Sequence, residues 1–333
     1  MSEPTRAVSV FMTVLNEEAH LAEALGSVLH QDYPGELEVV VALGPSTDRT
    51  DAIAQQLAAK DPRIKLIDNP TGAIPLGLNL AWRACQNEYV IRTDGHALLP
   101  PGYLATAVRL LEQTGAANVG GLMAPQGRTP FERAVARAMS SPVGIGSARF
   151  HTGGNAGPAE SVYLGCFRRS ALEEVGGLRP DYSRAEDWEL NHRLIQAGHL
   201  VYFDPGLQVA YRPRGNLKAL AKQYFSTGRW RAKVMRDHPV TISGRYLAPP
   251  LATVAVVAGL LTGLAGVVAG SKAKWALAIP GLWAAGELTA GAVAGKDLDT
   301  KARAWLPVVM ATMHLAWGAS FIRGALRAPQ PKR

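Results

Sequence analysis

Short apolar runs alternate with helix-like segments in the first part of the chain, and this alternation constrains the fold most strongly. Runs rich in branched and other apolar residues predict strands at 7–15, 36–43, 63–68 and 88–94. The segments between them carry apolar residues at helical spacing, and the links are short. Such alternation predicts an α/β fold: a Rossmann-like, mostly parallel sheet with helices on both faces.

Turn residues after the first two strands predict where helices begin. Asn16 is expected to cap the helix after the first strand, because its side chain can accept a backbone hydrogen bond. Ser46 or Thr47 is expected to do the same after the second strand. Ligands of parallel α/β sheets bind beyond the carboxyl ends of the strands. These turns, and the one after Thr93, therefore mark the expected site.

The middle of the chain departs from this alternation. Thr129 and Pro130 predict the start of a helix. Residues 141–158 are rich in glycine and weakly patterned, which predicts a mobile loop, and loops of this length often cover binding sites. The pattern resumes with a predicted strand at 161–167 and a predicted helix at 185–198.

Apolar segments close the chain, at 246–271, 275–295 and 304–322. Each is long enough to span a hydrocarbon layer of roughly 30 Å at about 1.5 Å per residue. Glu287 interrupts the second, and a charge at the centre of a span costs about 2.5–3.5 kcal/mol on insertion scales. Three spans would put the basic tail at 327–333 outside, against the positive-inside tendency. The sequence fits either three spans, or two spans with the third segment lying in the membrane interface.

The composition places a domain boundary near 240–246. Residues 1–240 have the mixed composition of a globular domain, and 241–333 form an apolar helical region expected to associate with a membrane. The N-terminus lacks a long apolar core after a basic start, so the first domain is expected to face the cytoplasm at the cytoplasmic membrane. Cys85 and Cys166 give neither a disulfide framework nor a zinc pattern.

The net charge of +8 is partly local, because basic residues far outnumber acidic ones between Tyr211 and His238. Beside apolar segments, such a cluster favours anionic lipid headgroups or phosphate as partners. Nucleic acid is the competing partner of a basic protein. The neighbouring membrane segments argue against it, so a membrane partner and no nucleic acid are expected.

Asp94 and His96 stand two residues apart where the fourth predicted strand meets a turn. A carboxylate and an imidazole placed this way can bind one divalent cation, with Mn²⁺ suiting the mixed ligands and Mg²⁺ preferring oxygen. Such a cation would bridge diphosphate oxygens and stabilise a leaving group. An ordinary Asp-Gly turn beside a surface histidine explains the same residues.

Two further clusters carry side chains suited to chemistry. Glu186 and Asp187 begin a predicted helix, where one carboxylate could accept a proton from an attacking hydroxyl. Acids also stabilise a helix start through the dipole alone. Downstream, Arg229 could neutralise diphosphate, and Trp230 could stack on a sugar or anchor at the membrane surface. An interfacial amphipathic helix explains this second cluster equally.

Five motifs in a fixed order resemble glycosyltransferase family 2, the inverting enzymes of the GT-A fold. They are "VSVFMTVLNEE", "GPSTDRT", "TDGHALLPPGY", "VGGLRPDYSRAEDWELNHRLIQAG" and "QYFSTGRWRA". Within the family, the chain looks most like membrane-bound bacterial glucosyltransferases of the succinoglycan type. The resemblance covers residues 6–240 and implies a metal-dependent transferase with a similar membrane tail behind it.

The resemblance implies donor-side roles for five residues. Asn16 and Glu17 would border the nucleotide pocket, and Asp48 would lie on a second nucleotide loop. Asp94 and His96 would stand at the Asp-x-Asp metal motif, where Asp94 also contacts the donor and His96 replaces the usual second acid. The implied cofactor is a divalent cation, Mn²⁺ or Mg²⁺.

The resemblance also implies roles on the acceptor side. Asp187 would be the catalytic base, with Glu186 beside it. Gln223, Arg229 and Trp230 would correspond to the Gln-x-x-Arg-Trp motif, with Arg229 on the donor diphosphate and the other two on the acceptor side. The spacing between Gln223 and Arg229 is longer than in that motif, which argues against a processive polymerase.

Leu43 departs from the family, because many relatives have an acid near this position that contacts the nucleotide base.

The expected function is transfer of a sugar from a nucleotide-sugar, UDP-sugar rather than GDP-sugar, to a lipid-linked glycan in exopolysaccharide or cell-envelope synthesis. One alternative is direct transfer to a polyprenyl phosphate carrier, and another is a non-catalytic membrane scaffold with a decayed transferase domain. A dinucleotide-dependent oxidoreductase is disfavoured, because the only Gly-x-Gly, at 144–146, neither follows the first strand nor opens a helix.

Overall fold

The computed structural model describes residues 6–326. Its chain forms two compact units, the first from the segments up to Ala124 and Ala148–Tyr211, the second from Pro125–Ser147 and the chain from Arg212 onward. This division differs from the boundary expected near 240–246, because the basic helix at Leu217–Asp237 packs along the apolar helix at Thr300–Ala325. The basic tail at 327–333 lies outside the described residues.

The first unit is built on one mixed sheet with strand order β3-β2-β1-β4-β7-β5-β8-β6. The strands are β1 (Val8–Val14), β2 (Leu37–Leu43), β3 (Ile64–Asp68), β4 (Tyr89–Arg92), β5 (Asn118–Pro125), β6 (Gly157–Pro158), β7 (Tyr163–Arg168) and β8 (Val201–Tyr211). The first four are parallel. Strand β7 runs antiparallel to both β4 and β5. The predicted parallel sheet is thus confirmed and carries an antiparallel extension.

Helices follow most of the strands and account for the second unit. They are α1 (Leu21–Leu29), α2 (Thr50–Lys60), α3 (Ile74–Ala84), α4 (Tyr103–Thr114), α5 (Pro130–Met139), α6 (Pro142–Ile145), α7 (Arg149–Thr152), α8 (Arg169–Glu174), α9 (Glu186–Gln196), α10 (Leu217–Asp237), α11 (Gly244–Val268), α12 (Ala278–Ala294) and α13 (Thr300–Ala325). Short 3₁₀ turns precede α11 and α12, at Pro239–Thr241 and Lys272–Leu277.

The core of the first unit lies on both faces of the sheet. Along β1, Val10, Met12 and Val14 face one apolar cluster, and Phe11 faces the other with Val40. This alternation follows from the two-residue period of a strand. Because helices cover both faces, the strands at the centre are predominantly apolar, as the sequence predicted.

The predicted helix caps were wrong. Asn16 has a left-handed backbone with φ 56°, and α1 begins only at Leu21. Neither Ser46 nor Thr47 caps α2; instead the Asp48 carboxylate accepts a hydrogen bond from the Thr50 backbone N–H at 2.9 Å. The side chains expected to cap helices instead tie loops together, as described below. By contrast, the predicted start of α5 is confirmed by a full capping box at Thr129.

The segment 141–158, predicted to be a structureless loop, contains α6, α7 and the short strand β6. Pro142 begins α6, and Gly146 with φ 84° ends it. Gly153 with φ 76° ends α7 in the same way. Glycine adopts such angles without steric cost, so closely spaced glycines divide the segment into short helices.

The second unit packs α10, α11 and α12 around α13. Glycines allow close approach: a Cβ on Gly228 would meet the Trp317 carbonyl, and one on Gly318 would meet Thr253. The helices at Gly244–Val268, Lys272–Ala294 and Thr300–Ala325 are long and apolar enough to cross a membrane.

Candidate active site

Side chains and backbone groups join the loops that follow β1 and β2. Asn16 Oδ1 accepts a hydrogen bond from the Thr47 backbone N–H at 2.8 Å. Asp48 accepts from the backbone N–H of Glu18 at 3.2 Å and of Thr50 at 2.9 Å. The Thr50 side chain contributes most to lowering the pKa of Asp48. Because β1 and β2 are parallel neighbours, these loops meet at the carboxyl edge of the sheet.

The loop after β4 joins the same edge through Glu17 and His96. The Glu17 carboxylate lies 2.8 Å from His96 Nδ1, and the Glu17 backbone N–H donates to the Thr50 hydroxyl at 2.7 Å. His96 itself is half exposed, with 49% of its side chain accessible. Three of the predicted donor-side residues, Asn16, Glu17 and Asp48, therefore lie in one connected set of loops with His96.

Arg92 connects the two predicted acidic clusters. Its Nη2 lies 3.4 Å from Asp94 Oδ1 and 3.1 Å from Glu186 Oε1. Only 11% of the Arg92 side chain is exposed. Burial alone would lower the pKa of Arg92, but the carboxylates of Asp94, Glu186 and Asp187 raise it above the ordinary value. Asp94, at the end of β4, and the acids at the start of α9 thus belong to one cluster.

Glu186 and Asp187 differ in their surroundings, although they are adjacent. Glu186 is buried against Arg92. Burial raises the pKa of Glu186, and the neighbouring Asp187 carboxylate raises it further. Asp187 is half-buried, and its Oδ1 accepts the Trp188 backbone N–H at 2.7 Å. Asp187 is therefore the more accessible acid of this pair.

A cavity behind these acids is lined by Arg92, Asp187, Asn118 and Asn191, together with apolar side chains. Asn118 donates to Asn191 at 2.6 Å, and Asn191 donates to the Ser161 hydroxyl at 3.1 Å. Within the described residues, Arg92 Nε and Asn118 Oδ1 are buried without a hydrogen-bond partner. Polar atoms left in this way usually bind ordered water.

Strained backbone surrounds the cluster. Among residues 6–326, the non-glycine residues with positive φ are Asn16, Leu164 and Ala185. Ala185 immediately precedes Glu186, Asn16 follows β1, and Leu164 lies on β7 beside β4. Such angles cost about 1–3 kcal/mol each and concentrate at functional sites. Their placement independently marks this edge of the sheet.

Asp94 and His96, on the loop after β4, are the residues that could hold a cation whose shell a substrate would complete. In residues 6–326, no three His, Cys, Asp or Glu side chains are grouped so that they could hold a metal ion alone. A proton on His96 Nδ1 toward Glu17 leaves the lone pair on Nε2, the arrangement common in metal-binding histidines. Cations that act on phosphates commonly take one or two protein ligands and complete their shell with phosphate oxygens and water.

Gln223, Arg229 and Trp230 lie on α10 in the second unit. Gln223 accepts a hydrogen bond from Arg214 Nε at 3.1 Å. The Arg229 guanidinium lies 5.9 Å from the centre of the Trp230 ring. The roles assigned to these three residues from the sequence remain predictions.

Residues missed by the sequence analysis complete the cluster. Arg92 carried a signal, since it is a charged residue inside an otherwise apolar predicted strand. Tyr163 on β7 is half-buried, and burial together with the nearby Asp94 raises its pKa above the ordinary value. No sequence pattern predicts the Asn118–Asn191 contact, because the two residues lie in elements that are far apart in the sequence.

The fold defines the class of protein, which is the GT-A fold shared with solved structures. A mannosyltransferase, PcManGT from Pyrobaculum calidifontis in complex with GDP-Man and Mn2+, superposes with a TM-score of 0.60 at 22% identity, covering 97% of this chain and 88% of that one. S. aureus TarS 1-349 in complex with UDP-GlcNAc gives a TM-score of 0.52 at 15% identity, over 95% and 90% of the two chains. At these identities the likeness shows the fold alone.

The sequence comparisons then give the family. Residues 9–176 match the profile of Glycosyl transferase family 2. The succinoglycan biosynthesis protein ExoA of Rhizobium meliloti (strain 1021) is 32% identical over 320 residues, which cover 95% of this chain and 94% of that protein. The chain therefore belongs to glycosyltransferase family 2 and is related to a protein of succinoglycan biosynthesis.

Proposed function

We propose that the protein is a membrane-anchored, inverting glycosyltransferase that moves a sugar from a nucleotide-sugar to a lipid-linked glycan in exopolysaccharide or cell-envelope synthesis. The observation that carries this proposal is the cluster at the carboxyl edge of the sheet. Arg92 there joins the donor-side acid Asp94 to the acid pair Glu186–Asp187. The family membership and the succinoglycan relative support the same reaction class.

Asp187 acts as the general base. It takes the proton of the acceptor hydroxyl as that oxygen attacks the anomeric carbon of the donor sugar. The bond from the same carbon to the diphosphate oxygen breaks on the opposite face, which inverts the configuration. Glu186 remains paired with Arg92 and supports the position of its neighbour.

The loops around Asn16, Glu17 and Asp48 bind the nucleotide, and Asp94 and His96 would hold a divalent cation, Mn²⁺ or Mg²⁺. When bound, this cation neutralises charge that develops on the leaving diphosphate. Solved proteins of the same fold contain GDP-Man with Mn2+ and UDP-GlcNAc. We expect a UDP-sugar here in preference to a GDP-sugar, and Arg229 as a further contact to the diphosphate.

The apolar helices of the second unit support a reaction at a membrane surface. Its three long apolar helices would anchor the chain, and the basic helix α10 would contact anionic headgroups. Gln223 and Trp230, on the same helix, would contact the acceptor. The first unit would face the cytoplasm, where nucleotide-sugars are made, and the lipid-linked acceptor would be presented from the bilayer.

The test is sugar transfer by the full-length Asp187→Asn variant with an exopolysaccharide-type lipid-linked acceptor. We expect kcat to fall on the order of 10²–10⁴-fold with little change in donor binding, because a general base acts on the chemical step. Asp181→Asn, at an exposed acid five residues before α9, is the matched control and should keep normal turnover.

Two results would redirect the proposal. Near-normal turnover of Asp187→Asn with polyprenyl phosphate would identify the direct polyprenyl-phosphate transferase, because that acceptor oxygen is already ionised. An absence of donor hydrolysis and transfer in the unaltered protein with Mn²⁺ would support the non-catalytic scaffold.

A further inference from the structure

Arg92 is a buried cation that the family comparison and the sequence motifs leave without a role. It is the last residue of β4 and stands two residues before Asp94. Its Nη2 lies within 3.4 Å of Asp94 and 3.1 Å of Glu186, which are separated by 92 positions in the chain. One guanidinium nitrogen therefore joins the strand that carries the donor-side acid to the helix that carries the base.

The charges around Arg92 make this link more than a packing contact. The carboxylates of Asp94 and Glu186 lie within 3.4 Å of one guanidinium nitrogen, and Asp187 lines the same cavity as Arg92. A buried carboxylate is costly unless it is paired, and removing one partner of a buried pair leaves the other uncompensated. Without Arg92, Glu186 would be driven to turn toward solvent or take up a proton. Either change would disturb the first turn of α9, where Asp187 lies.

The backbone at this point has little capacity to compensate. Ala185 already holds a left-handed φ of 59° at the residue before Glu186. Such strain persists only where surrounding contacts fix it. The Arg92–Glu186 ion pair is a contact of this kind, because it holds the residue that follows the strained one.

We propose that Arg92 is a positioning residue, which sets the separation between the donor-side acid Asp94 and the base Asp187 by binding Asp94 and Glu186 at once. Arg92 itself need not touch the donor or the acceptor. This inference rests on the proposed function and adds to it the residue that couples its two halves.

The experiment compares kcat and donor KM for Arg92→Gln, Arg92→Lys, Glu186→Gln and the double variant Arg92→Gln/Glu186→Gln, each corrected for folded protein. Arg92→Gln should lower kcat on the order of 10²-fold, the loss expected when a reacting group moves by about 1 Å. Arg92→Lys keeps the positive charge but lacks the planar guanidinium that can bind two carboxylates at once, so it should recover part of the lost kcat. The double variant should lose less than the product of the two single losses, since it removes the unpaired carboxylate.

Arg168→Gln is the matched control. Arg168 is a half-buried arginine on β7, paired in register with Tyr89 at the start of β4. It donates to the carbonyl oxygens of Ala116 at 3.1 Å and Leu111 at 2.7 Å. This variant should lower thermal stability and leave kcat of the folded protein unchanged. A purely structural role for Arg92 would give the same pattern.

The outcomes distinguish a failure of the positioning role of Arg92 from a failure of the proposed transferase function. Normal kcat in the folded fraction of Arg92→Gln, with active unaltered protein, overturns the positioning role and leaves the transferase in place. If Arg92→Gln does not fold, normal kcat in Arg92→Lys overturns the positioning role equally. If neither the unaltered protein nor Arg168→Gln turns over any donor, the proposed function fails and the inference fails with it.

Discussion

At the scale of single residues, the environment rather than the residue type separates the roles of the acids. Glu186 is buried against Arg92, whereas Asp187, one position later, is half-buried at the same helix start. Asp94 and Asp187 could be predicted from motifs because each stands at the end of a strand or the start of a helix. Arg92 was marked only as a charge in an apolar strand, and its partner could not be predicted, because the ion pair spans 94 positions that no local pattern contains.

Glu17 offers a test of the proposed metal site at this scale. Glu17→Gln should raise the Mn²⁺ concentration needed for half-maximal activity by about 10–100-fold, because partners that orient a metal-binding histidine have effects of that size. Its carboxylate contacts His96 Nδ1 at 2.8 Å. The measurement is a Mn²⁺ titration of transfer activity.

The adjacent Glu18→Gln is the control for that titration. Glu18 is exposed, and its carboxylate accepts the Arg49 backbone N–H at 2.8 Å. It should leave the Mn²⁺ requirement unchanged. An equal Mn²⁺ requirement in both variants would argue against a metal at His96.

At the scale of elements, the strands that could not be predicted from the sequence are those that also contain residues typical of turns. Strand β8 contains Asp204, Pro205 and Gly206, which together are typical of a turn. Strand β5 contains Gly120 and Gly121, which weaken a strand. The structure explains the second case, because a Cβ on Gly121 would collide with the backbone of Leu207 on β8. In β5, tertiary packing therefore overrode local strand propensity.

The apolar helices contain a buried polar contact that makes a prediction about their packing. The Glu287 carboxylate on α12 lies 2.7 Å from His314 Nδ1. The other ring nitrogen, His314 Nε2, lies 3.2 Å from the Gly144 carbonyl oxygen on α6. His314→Leu should therefore destabilise the protein by about 3–5 kcal/mol, because it leaves a buried carboxylate unpaired. Thermal unfolding in detergent measures the loss.

The double variant Glu287→Leu/His314→Leu is the control for this contact. It removes both polar partners and should recover most of the lost stability. Equal unfolding temperatures for the single and double variants would mean that the pair does not contribute to packing.

At the scale of the whole molecule, the class of protein was predictable from the sequence, whereas the compact units of the structure do not follow the change in composition. The order of five motifs led to the family, and the hydropathy led to the apolar helices. The expected boundary followed composition, which changes near residue 240. The structural division follows packing instead, and it assigns the polar helix α10 and the segment Pro125–Ser147 to the second unit. Composition does not record which neighbour a polar helix packs on.

The central claim is that this edge of the sheet binds a nucleotide-sugar through a cation at Asp94. The most direct measurement is thermal unfolding of the full-length protein with UDP- and GDP-sugars, with Mn²⁺ or with a chelator. At a donor concentration of about 100 Kd, one donor should stabilise the protein by about 2.7 kcal/mol with Mn²⁺, and by much less with the chelator. Asp94→Asn should fold and lose this stabilisation. Full metal-dependent stabilisation in Asp94→Asn would contradict the account.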